Sequence, residues 1–140
     1  MSMDMLYKNP DASLEGVFNA SNFNMICFID YMAKKFDQHV RILNDIIKEK
    51  EEQISETDDL EEKEWYIKEQ TDEKSRLFYM TSGQNAWNLL KQGKKASLYG
   101  LAVGLPMVEV TDNYQYYVNQ ILHEAVKVLM FQGNPDIWVA

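Results

Sequence analysis

Cysteine is nearly missing from this chain: Cys27 stands alone among 140 residues, so no disulfide can form within it. That excludes the stapled scaffolds of small secreted proteins, where several cystines take over part of the work of a hydrophobic core. Cys27 sits in "FNMICFIDYMAKKF", a setting that predicts a buried, unreactive thiol. Histidine is almost as scarce, with only His39 and His123. Neither has a second histidine one helical turn away, and the Glu-x-x-His pairing of di-iron bundles is absent, so no metal is expected. The few glycines build no phosphate cradle. "GLAVGLP" lacks both the G-x-G-x-x-G order and a Walker lysine. "TSGQN" puts Ser82 beside Gly83 without a nucleophile elbow, so it reads as helix. No catalytic residue and no cofactor are expected.

Long apolar runs are missing too. "SLYGLAVGLPMVEV" comes nearest, and Gly100, Gly104 and Pro106 interrupt it, so no membrane partner is expected. The opening "MSMDMLYKNP" lacks the basic-then-apolar pattern of a secretion signal, and a cytoplasmic protein is expected. Positive charge is in deficit as well: 14 basic against 22 acidic residues leave a net charge of −8. Such a balance repels nucleic-acid phosphate, which argues against direct nucleic-acid binding, and leaves open attraction to a basic protein.

What is present is a large apolar complement, 46% of residues with 12% aromatic, enough for one domain over residues 1–140 with a real core. From Asn22 onward, Met25, Ile29, Met32, Phe36, Val40, Leu43, Ile47 and Ile54 recur at three- and four-residue steps, the stripe of one helix face. Asp30–Lys34 and Asp37–Arg41 are expected as supporting ion pairs on the other side. "SETDD" predicts a turn and a new helix capped by Asp58, with Glu61 as capping-box partner. In that second helix Leu60 and Ile67 are expected to form the seam, with Glu64–Lys68 and Asp72–Arg76 as surface pairs. Leu77, Phe78, Tyr79 and Met80 point all round, which predicts a central, covered second half. Gly93 is a natural stop. Residues 94–110 read as a short helix and then loop. A last helix begins near Thr111 and buries Tyr114, Val118, Ile121, Leu122, Ala125 and Leu129. Residues 1–20 and 132–140 read as an irregular lead-in and a short tail. The expected fold is all-α: a helical bundle built on a long antiparallel hairpin, about 22–54 and 59–91, plus a helix at about 112–131.

Function rests on surface features. "EEKEWYIKEQ" puts Trp65 and Tyr66 inside the most charged part of the chain. Trp65 points away from the expected seam, the composition of an interface hot spot: a rigid aromatic within a polar rim. Glu61, Glu62, Glu64, Glu69 and Asp72 surround it in sequence, and Tyr116 and His123 add candidates on the outer side of the last helix. The leading expectation is a small acidic protein-binding module of inhibitor, immunity or antitoxin type that occludes a basic partner such as a nuclease. One alternative is a homo-oligomeric assembly subunit, for example a homodimer through the long hairpin. Another is a sensor or enzyme with a helical-bundle pocket lined by His39, Tyr79 and Trp87.

Overall fold

A computed structural model describes residues 1–140. Two strands open the chain, β1 (Ser2–Lys8) and β2 (Leu14–Ser21). Two long helices follow, α1 (Asn22–Glu56) and α2 (Leu60–Lys91). Next come β3 (Ala96–Ser97), a short α3 (Leu98–Ala102) and a 3-10 turn at Leu105–Met107. Helix α4 (Asp112–Phe131) and strand β4 (Asp136–Val139) complete the chain. The strands form one antiparallel sheet in the order β2-β1-β4-β3.

The all-α expectation is therefore overturned: the fold is mixed α/β. Residues 1–20 form a β-hairpin, and the expected tail contains a strand, Asp136–Val139. Along β1, Met3, Met5 and Tyr7 alternate toward the helices, and Met5 and Tyr7 are fully buried. The alternation fails in β2, because the register slips where Met5 faces Phe18 and Leu6 faces Gly16. That bulge lets both Val17 and Phe18 face the core. Between the strands, Asp11 accepts hydrogen bonds from the Ser13 amide and hydroxyl, while Ala12 adopts a left-handed φ of 69°. Strand β4 exists only through its partners. Leu6 pairs with Trp138, and Asp4 and Ala140 exchange backbone hydrogen bonds of 2.8 and 3.0 Å. Trp138, unplaced by the sequence, lies on this strand under the Lys95 ammonium, 4.9 Å from its ring centre.

The helix boundaries agree with the periodicity, and the caps show why. Ser21 accepts the Asn24 amide at the start of α1. At the end of α2, Gly93 takes φ 75°, with its amide donating to Leu90 and that of Lys94 donating to Leu89. That is the Schellman arrangement, which needs a residue tolerant of positive φ. The cap of α2 is Asp59 rather than Asp58; its carboxylate accepts the Glu61 and Glu62 amides at 2.9 and 3.3 Å.

The core lies where the inner face of the sheet meets the first half of α1, the second half of α2, α3 and α4. Phe28 is at its centre, with the rings of Phe18, Trp87, Tyr114 and Tyr117 all within 5.7 Å between centroids. Each fully buried ring contributes roughly 1.5–3 kcal/mol. Two polar groups inside the body are paired: the Trp87 indole donates to the Leu101 carbonyl, and the Tyr7 hydroxyl donates to Glu124 at 2.9 Å. Asp37 accepts from Gln84 and Asn88 of α2 instead of pairing with Arg41. The expected covered second half of α2 is found on one side only, where Leu77 packs on the core and Met80, Ala86, Trp87 and Leu90 are buried. Phe78 and Tyr79 are exposed, because α2 lies at the edge of the body.

Candidate functional site

At 1.5 Å per residue, α1 and α2 are about 52 and 48 Å long, far longer than the body they pack into. Buried residues end on α1 at Leu43 and resume on α2 only at Met80, with Gln70 the one exception between them. Residues 44–75 therefore form a projecting two-helix arm. Its charge sets it apart. Thirteen acidic and five basic side chains lie in this stretch, a net of −8, and the remaining residues carry nine of each sign. All of the protein's net charge is on the arm.

The α2 side of the seam inside the arm is mainly polar, and Ile47 and Ile54 of α1 are half-buried opposite it. Lys50 of α1 pairs with Glu69 of α2 at 2.6 Å. The Gln70 amide donates to the Glu51 carboxylate at 2.6 Å and to the Ile47 carbonyl at 3.3 Å. The α2 line facing α1 thus runs through Lys63, Tyr66, Gln70, Glu73 and Leu77. Leu60 and Ile67, expected to form this seam, are 75% and 45% exposed. Periodicity found an apolar stripe and assigned it to the wrong neighbour. Spacing alone says that residues share a face, and the neighbouring helix decides which face is covered.

Trp65 is 55% exposed, and neither terminal segment covers it, because both are held in the sheet. The Lys50 ammonium reaches across from α1 to within 5.4 Å of the Trp65 ring centre and 5.3 Å of Tyr66. The Tyr66 hydroxyl donates to Glu62 at 2.8 Å, which raises its pKa above the ordinary phenol value. These contacts hold the two rings in place while leaving one side of the indole open. The acidic candidates divide. Glu61, Glu64 and Asp72 are exposed and unpaired. Glu62 is occupied by Tyr66, and Glu69 is turned inward to Lys50. Arg76 pairs with Glu73 at 2.9 Å rather than with Asp72, and Glu64–Lys68 is not an ion pair. Asp30–Lys34 forms as expected, with Lys91 also bound to Asp30 at 3.0 Å.

Tyr116 and His123 are exposed on α4, which packs on the body and not on the arm. They do not join the Trp65 surface. Beside them lies a feature that the sequence did not single out, a shallow apolar groove of about 340 Å³ between α3 and α4. Tyr99, Val103, Pro106, Leu122, Val126 and Met130 line it. One wall comes from residues 99–106, inside the stretch whose pattern in the sequence is broken by Gly100, Gly104 and Pro106.

The residues of the expected pocket are dispersed. His39 borders an open cleft of about 440 Å³ with Glu73, Arg76 and Met107 at the root of the arm. Trp87 is sealed in the core, and Tyr79 faces solvent. Cys27 lines a separate cleft of about 350 Å³ with Ile26, Leu90 and Lys91, half-buried rather than fully enclosed. No three His, Cys, Asp or Glu side chains converge in a geometry that could hold a metal. No helix is long and apolar enough to cross a membrane. No family model matches the chain, and comparison with curated proteins and with solved structures finds no match either.

Proposed function

We propose that this is a cytoplasmic protein-binding module, of the inhibitor or immunity type, that engages a basic protein surface through its acidic arm. The observation that carries the reading is the segregation of charge: a net −8 on residues 44–75 over an otherwise neutral body. A charged projection of this kind steers a basic partner during encounter and orients it on arrival. Trp65, held between Lys50 and Tyr66 and open on one side, supplies the anchor. A preordered aromatic costs less conformational entropy when it is buried in a contact. Glu61 and Asp72, without ion-pair partners of their own, supply the rim. The acidic arm disfavours direct contact with nucleic acid, and the protein acts by occupying a surface rather than by catalysis. The α3–α4 groove gives the body an apolar surface of its own, a further feature in keeping with protein contacts.

The test is affinity capture with wild type, Trp65→Ala and the pair Glu61→Gln/Asp72→Asn, followed by measured affinities for the protein retained. A basic protein is expected, bound at least tenfold more weakly by Trp65→Ala. The charge variant should bind it more weakly and with a flatter dependence on salt. Equal affinity of all three proteins would remove the arm from the account.

A further inference from the structure

One flank of α2 carries a pattern that reads the same in both directions. Counting from Leu60 in alternating four- and three-residue steps gives Leu60, Glu64, Ile67, Thr71, Lys74 and Phe78. At 3.6 residues per turn these six fall within about 40° of one line, running some 27 Å from the tip of the arm to its root. All six are exposed, with Leu60 at 75% and Phe78 at 66%. Glu64 and Lys74 have no ion-pair partner in the chain. The Thr71 hydroxyl is returned to the Ile67 carbonyl at 2.9 Å, which leaves its methyl group outermost.

We infer that this flank is the contact between two copies of the chain, paired antiparallel about a two-fold axis opposite Glu69. A two-fold contact brings residue i against j and j against i. Centred there, it sets Leu60 against the second copy's Phe78, Ile67 against Thr71, and Glu64 against Lys74, each pair occurring twice. Every apolar group meets a carbon surface and each unpaired charge meets its opposite. Both properties come from the order of residues on one face, and a shift of one turn destroys them by setting Glu64 against Thr71 or Phe78. The alternating spacing is that of antiparallel helices crossing at a shallow angle. Pairing two arms in this way makes a four-helix bundle. Trp65, roughly 140° around α2 from Leu60, stays on its outer surface.

Charge exchange tests the pairing, with monomer–dimer constants from sedimentation equilibrium on the full chain at 150 mM salt. Wild type is expected to dimerise. Glu64→Lys alone sets lysine against lysine and Lys74→Glu alone sets glutamate against glutamate, so each should dimerise at least tenfold more weakly. Mixed together, the two variants should recover wild-type affinity as a heterodimer, and the double variant Glu64→Lys/Lys74→Glu should recover it alone. Circular dichroism checks that these surface changes leave the helices intact. A monomeric wild type at 100 μM concentrations, on the order of the weak-interface range, would overturn the inference. So would a dimer indifferent to either single exchange, or single variants that fail to complement each other.

Discussion

Replacing Gly83 by alanine tests how the arm is rooted in the body. Gly83 lies where α2 crosses α1, and it is buried against the flat of the Phe36 ring. A methyl group built there would sit 2.5 Å from Cδ1 and 2.9 Å from Cζ of that ring, and nearer still to Cε1. Ordinary carbon contacts are about 3.5–4.0 Å, so the helices would have to separate by roughly 1 Å or the ring would have to turn. The ring has little room to give, because a methyl group built at Gly104 would also meet it, 2.7 Å from Cε1 and 3.3 Å from Cζ. Overpacking of this kind costs about 1–3 kcal/mol, and the tightness here favours the upper end. Against it stands the gain of about 1 kcal/mol from replacing glycine by alanine inside a helix. The net expectation is a loss of about 2 kcal/mol, or about 7 °C in Tm for a chain of this size. Urea and thermal unfolding followed by circular dichroism measure it. Phe36→Leu in the same background should make the two losses less than additive, since it frees the volume that the methyl group needs. If Gly83→Ala were neutral or stabilising, the helix-propensity term would outweigh the clash and this account of the crossing would be wrong.

Two further predictions concern pH. The Tyr7 phenol is held well above its ordinary pKa by burial and by its hydrogen bond to Glu124, so its contribution is complete below about pH 10 and is lost as the pH rises beyond. Tyr7→Phe should cost about 1–2 kcal/mol at pH 8, and the gap to wild type should narrow in urea titrations at pH 11; a constant gap would show that the hydroxyl does not titrate as described. Asp30 is held below the usual carboxylate range by Lys34 and Lys91, so its contribution is present above about pH 4 and lost as the pH falls below it. Thermal unfolding of Asp30→Asn at pH 6 and pH 3 should show a deficit at the first that shrinks at the second.

The sequence by itself determined the helices. Their apolar period, the stop at Gly93 and the concentration of acid between residues 44 and 75 are local properties, and local properties are written in consecutive residues. Residues 1–20 read as irregular because the alternation of Met3, Met5 and Tyr7 rests on methionine, a weak strand signal, and the bulge at Val17 breaks the period in the partner strand. Strand β4 could not be read at all. Four residues at the end of the chain become a strand only because β1, more than 120 positions away, offers its edge. The same limit governs the candidate site. Trp65 was identifiable as an aromatic among charges, and the fold decided that nothing covers it. Leu60 and Ile67 were identifiable as a stripe, and only the approach of α1 through Lys50 and Gln70 left that stripe facing solvent. Periodicity specifies which residues share a face of a helix; contact with the rest of the chain specifies what that face meets.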